Sequence, residues 1–71
     1  MILDLMNVNE NEIQEAMYSH FEKGNSVKIK VQCVSTGASD TSTFDDKRKA
    51  LSFAIKKTRN NANYNYVTME Y

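Results

Sequence analysis

The spacing of apolar residues changes several times along the chain, and each change marks a structural element. Between Glu10 and Lys23, Ile13, Ala16, Met17, His20 and Phe21 gather on one side at roughly 100° per residue, with Glu12, Glu15, Ser19 and Glu22 on the other. Asn9 is placed to cap this helix with Glu12 three residues on, and Val8 and Ile13 have the spacing of a hydrophobic staple. Gly24 supplies the left-handed residue that ends such a helix, and Asn25 continues the turn. From Val27 the period falls to 2: Val27, Ile29, Val31 and Cys33 alternate with Lys28, Lys30 and Gln32, which predicts a half-buried strand. Residues 35–40 are turn chemistry and residues 41–44 are β-prone, so a hairpin back to a brief second strand is expected.

A second helix is predicted to run to about Asn60, capped by Asp45 or Thr43, with Asp46 in its first turn near the positive end of the helix dipole. Ala50, Leu51, Ala54 and Ile55 form its apolar side, Phe53 stands at the margin, and Arg48, Lys49, Ser52, Lys56 and Arg59 lie opposite. Residues 60–63 interrupt the pattern, and Tyr64 to Tyr71 alternate as a C-terminal strand. Both alternating sets of that strand contain apolar atoms, so the pattern leaves its buried face undecided.

The order α-β-(β)-α-β predicts a small two-layer α+β domain, with two helices packed on one face of a mainly antiparallel sheet. Residues 2–6 can add an edge strand. With Val27, Ile29, Val31 and Cys33 turned toward the helices, Lys28, Lys30 and Gln32 face the other way, where pairing with the last strand places Tyr64 and Tyr66 beside them.

Seventy-one residues restrict the chain to one domain, with only roughly 60% of the unfolded surface buried on folding. A hydrophobic fraction of 41% with a quarter of residues charged excludes the compositions of disordered and membrane proteins. A lone cysteine, Cys33, forms no internal disulfide, and the cytoplasm is the expected compartment, a host cytoplasm if the source is viral. The first six residues have no basic region and include Asp4, which argues against a signal peptide and against a membrane span; Met1 is read as the true start. Eight asparagines and seven lysines hint at an AT-rich coding genome.

Side-chain inventory sets catalysis, metals and cofactors aside. A nucleophile needs an activating base and a metal needs several ligands, whereas the chain has one His, one Cys and carboxylates placed mainly on helix surfaces or caps. His20 and Cys33 could form a pair from neighbouring elements, although a small buried Cys and a boundary His explain both more simply. Gly24 and Gly37 stand alone, so there is no glycine-rich phosphate loop.

Charge is informative once it is divided along the chain. Residues 1–25 hold five acids and one Lys, net −4, while residues 47–60 hold six bases and no acid, net +6, so the overall zero is a cancellation between two helices. A basic helix face can neutralise phosphates, but a solvated face is commonly Lys-rich for solubility alone, and the acidic first helix would repel phosphates if it lay alongside. Phe53 at the rim of that face suits a base stack or a protein interface, with core packing as the plain alternative. The opposite sheet face, with Lys28, Lys30, Gln32, Tyr64 and Tyr66, has the composition of a single-strand binding platform and equally of an ordinary exposed sheet; it has no Gly-aromatic ribonucleoprotein signature.

These readings lead to a small non-enzymatic interaction protein that binds another protein as regulator or inhibitor, through complementary charge and a few aromatic anchors. In size and Asn/Lys-rich composition alone, such a chain looks like the accessory proteins of bacteriophages that bind host machinery. The candidate contact residues are Lys28, Lys30, Arg48, Lys49, Phe53, Lys56, Arg59, Tyr64 and Tyr66. The alternative is an RNA- or DNA-binding domain using the basic helix face. A homodimer through the open face or an unpaired edge is also compatible with so thin a core, whereas nine acids are too few for a DNA mimic.

Overall fold

The computed structural model describes residues 2–59 and 65–70. Its organising element is the strand with the cleanest alternation, β2 (Val27–Cys33), in which Val27 and Ile29 are fully buried while Lys28 and Lys30 are exposed. β3 (Ser39–Phe44) returns along one side of β2, and β4 (Asn65–Glu70) pairs along the other. A short strand, β1 (Ile2–Asp4), completes a sheet of order β1-β4-β2-β3 in which every neighbouring pair is antiparallel. Two helices, α1 (Glu10–Glu22) and α2 (Lys47–Arg59), pack against this sheet, giving the expected α+β architecture.

Register settles which face of β4 is buried. Ile29 lies opposite Met69, which in turn lies opposite Leu3, and Val31 lies opposite Val67. Val67 and Met69 therefore join the core, and Tyr66, opposite Gln32, points to the uncovered side. Tyr64 and Tyr71 lie outside the described residues. The fully covered side chains are Leu5, Ile13, Met17, Val27, Ile29, Ala50, Ala54, Val67 and Met69. Ala50 and Ala54, one turn apart, are small enough to bring the α2 backbone close to the sheet.

Local chemistry at α1 follows the sequence pattern. Asn9 Oδ1 accepts the Glu12 backbone N–H at 2.9 Å, and Asn9 Nδ2 donates to Glu12 Oε1 at 3.2 Å, so cap and third helical residue hold each other. At the far end Gly24 has φ +81° and donates its N–H to the Phe21 carbonyl at 2.9 Å, the left-handed closure that glycine adopts without steric cost.

Three expectations need correction. The cap of α2 is Asp46, not Asp45 or Thr43: Asp46 Oδ1 accepts the N–H groups of Arg48 at 2.9 Å and Lys49 at 3.3 Å. These two bonds, that of Lys49 foremost, hold the Asp46 carboxyl below the usual carboxylate range. Thr43 is held within β3 opposite Lys28, and Asp45 precedes the helix by one residue too many to cap its first amides. β3 begins at Ser39 rather than Thr41, because the hairpin loop closes tightly: Cys33 N–H donates to the Ala38 carbonyl at 2.7 Å and Gly37 N–H to the Cys33 carbonyl at 2.8 Å. The N-terminal strand stops at Asp4, whose Oδ1 accepts the Met6 N–H at 2.9 Å and turns residues 5–7 into a 3-10 turn that buries Leu5.

The two helices lie side by side and antiparallel, since Arg59 at the end of α2 pairs with Glu10 at the start of α1, while Lys47 Nζ at the start of α2 sits 4.9 Å from the Tyr18 ring centre. No helix of the described residues is long and apolar enough to cross a membrane.

If β2 carries the core, Ile29→Ala should lower unfolding stability by about 2–5 kcal/mol, the range for truncating a buried aliphatic side chain. Lys30→Ala, next in sequence but on the opposite face, should change it by less than about 0.5 kcal/mol. Urea unfolding followed by circular dichroism measures both.

Candidate functional site

Two surfaces gather the predicted contact residues except Arg59, which turns to α1, and Tyr64, which lies outside the described residues. On the uncovered side of the sheet, cross-strand rows run Ile2, Glu70, Lys28, Thr43 and then Asp4, Thr68, Lys30, Thr41, with Tyr66 beside Gln32 in the next row. Ile2 is 69% exposed and Tyr66 43% exposed, flanking a shallow basin of about 350 Å³ that also borders Lys28, Lys30 and Glu70. Lys28, Lys30 and Tyr66 thus share one face, as the alternation predicts. That face is not a cationic platform, because Asp4 and Glu70 on β1 and β4 answer the two lysines of β2. The nearby Asp4 carboxylate, reinforced by partial desolvation and by a hydrogen bond from the phenol, raises the Tyr66 hydroxyl above its ordinary pKa.

The second surface lies where α2 meets the outer strand β3. Phe53 is half-buried, and its ring centre is 5.0 Å from that of Phe44 with the planes tilted by 46°. Lys57 Nζ lies 5.6 Å from the Phe53 ring centre, within the range of a cation–π contact. Beside the two rings is an open basin of about 430 Å³ bordered by Arg48, Lys49 and Lys56. The reason lies in β3: its helix-side positions, opposite Val31, Ile29 and Val27, are Asp40, Ser42 and Phe44. Two of those three are too small or too polar to cover Phe53, so an aromatic floor stays accessible beneath a basic rim.

Sequence reading grouped six cations on α2, and the structure divides them. Arg59 turns to Glu10, and Lys47 lies over Tyr18, so both are engaged with α1. Arg48, Lys49 and Lys56 remain around the aromatic basin, while Arg59 is paired with Glu10. The sequence pattern does not single out Phe44. The signal was present in its two-residue spacing from Ser42 and Asp40, but its meaning depends on the register with β2.

His20 and Cys33 do not come together. His20 borders a corner with Ser26, Lys28 and Glu70 where β2 begins, while Cys33 ends β2 at the hairpin loop. Cys33 is only partly buried, not the buried small residue expected. Its Sγ lies 3.3 Å from Ser35 Oγ, and hydrogen bonds from the Ser35 hydroxyl, then from the Thr36 hydroxyl and the loop backbone, lower the thiol to about 6. These donors favour the thiolate, so the pKa falls.

Compared with family models, curated proteins and solved structures, the chain matches no family model, no curated protein and no solved structure.

The loop donors around Cys33 have a direct readout in iodoacetamide alkylation, whose rate should rise with a midpoint near pH 6. Ser35→Ala should move that midpoint upward, toward the ordinary cysteine value of about 8.5. An unchanged midpoint in S35A means the hydroxyl does not hold the thiolate.

Proposed function

We propose that the chain is a small protein-binding module without catalytic activity, which regulates or inhibits the protein it binds. The observation that supports this reading is the Phe44–Phe53 floor, left accessible beneath Arg48, Lys49 and Lys56. Protein interfaces concentrate aromatic residues at the desolvated centre and place charge at the rim, where it steers the approach of an oppositely charged partner. An exposed aromatic floor in a chain with so thin a core leaves apolar area that a partner can remove from water.

Nucleic-acid binding through the same helix face is the second reading, and the charge layout weakens it. α1 lies directly alongside α2 and carries Glu12, Glu15 and Glu22 on exposed positions. Two of the six α2 cations are engaged with α1, and the carboxylate of Asp46 occupies the positive end of α2, where a phosphate would otherwise sit. A regulator or inhibitor acting by occlusion needs only such a surface and no reacting group.

Affinity capture with the tagged full chain from a nuclease-treated lysate, followed by mass spectrometry, should retain one stoichiometric protein. The triple variant R48E/K49E/K56E, altered at exposed positions, should retain about tenfold less or lower, in line with the loss of complementary charge. Retention of labelled nucleic acid at physiological salt with no protein partner would contradict the proposal.

A further inference from the structure

The protein-binding reading leaves open how a partner would engage, and the edge of the sheet supplies a geometry. β3 is the last strand of the order β1-β4-β2-β3, so among the described residues its outer backbone edge has no strand partner. Edge strands are usually guarded by proline, lysine, a bulge or a covering element. β3 reads Ser-Asp-Thr-Ser-Thr-Phe and has neither proline nor lysine, and it pairs with β2 in unbroken register from Ser39 to Phe44. Its one guard is the inward charge of Asp40 near the hairpin end, so the regular stretch from Thr41 to Phe44 is the part open to a further strand.

What lies above that edge selects the occupant. The α2 side of β3 presents Asp40, Ser42 and Phe44, and a second basin of about 270 Å³, which reaches inward from Asp40 over Val31 and Cys33 of β2 to Asn65 of β4, meets the Phe44 basin at Phe53. Phe53 borders both basins, so a strand laid beside β3 would direct its inward side chains at one ring. The rim above is Arg48, Lys49, Lys56 and Lys57; the Asp46 carboxylate at the helix start lies near Lys49 and Arg48, and Lys56 and Lys57 stand farther along the helix. Asp46 is turned into the helix end, where it holds two backbone amides, and Asp40 is the single acid on the groove wall. The border is thus aromatic in its floor and mainly cationic at its rim.

We propose that an extended acidic segment of a protein partner adds to β3 as a fifth strand, sets an apolar side chain on Phe53 and Phe44, and faces Arg48, Lys49 and Lys56 with its carboxylates. This rests on the protein-binding reading and names the chemistry of the partner. Main-chain hydrogen bonds to the strand edge supply affinity, alternate side chains in the groove supply selectivity, and the basic rim sets the sign of charge accepted.

The test is selection of phage-displayed random dodecapeptides on the full chain, with the most enriched peptide then synthesised and titrated into isotope-labelled protein. Enriched peptides should carry Asp or Glu around an apolar residue, and the peptide should shift the amides of residues 39–44 and of α2. N-methylation at alternate peptide nitrogens, which removes strand donors, should weaken binding about tenfold, as should R48E/K56E. An absence of enrichment, enrichment of basic peptides, or indifference to N-methylation overturns the proposal. Amide shifts confined to Lys28, Lys30 and Tyr66 would overturn the groove while leaving protein binding intact. Groove shifts produced by oligothymidylate alone, with no peptide enriched, would remove both.

Discussion

Everything in this molecule depends on β2 being paired on both sides while only one face of the sheet is covered. Among the described residues the second layer is two helices of thirteen residues each with Leu5 of the 3-10 turn beside them, and it must bury what Val27, Ile29 and Val31 direct toward it. β4 answers with Val67 and Met69, and β1 with Leu3. Beyond β2 the supply of apolar side chains ends, because the helix side of β3 offers only Phe44. The core therefore thins toward the β3 edge, and Phe53 stands at the place where it runs out.

That asymmetry decides where the chain can make contacts. On the uncovered sheet face, lysines of β2 sit among the acids of β1 and β4, so the face is mixed in charge although Ile2 and Tyr66 are exposed. At the α2–β3 border cations outnumber the acids Asp40 and Asp46, and the floor is aromatic. The zero net charge hides this because four of the nine acids lie on the first helix and six of the nine bases on the second. The interhelix contacts of Glu10 with Arg59 and Tyr18 with Lys47 engage the cations at the two ends of α2 and leave those around Phe53 facing solvent.

What could be read in the sequence was whatever is decided within a few residues. The alternation of β2, the Asn9–Glu12 cap and the turn at Gly24 are local, and each stands where the pattern puts it. What could not be read depends on partners distant in the chain. The buried side of β4 is chosen by Ile29 and Val31, more than thirty residues earlier, and the cap of α2 passes to Asp46 because pairing with β2 holds Thr43 in the sheet. The same limit applies to the candidate surface. Arg48, Lys49, Lys56 and Phe53 were recognisable from helical spacing, whereas Phe44 acquires its role only through register, and the engagement of Arg59 by Glu10 only through the packing of α1 on α2. Cys33 is half-buried at the end of β2, where its N–H closes the hairpin loop on the Ala38 carbonyl, a contact that the alternation of β2 does not show.

On the proposed reading a basic rim steers a protein partner onto an aromatic floor, and the two contributions separate into rates. Steering acts on association and falls with ionic strength, while the desolvated apolar contact governs dissociation. The most direct measurement is the salt dependence of association and dissociation rate constants between the chain and its captured partner. The account predicts association slowing steadily from low to physiological salt, with dissociation nearly constant. An association rate indifferent to salt would contradict it.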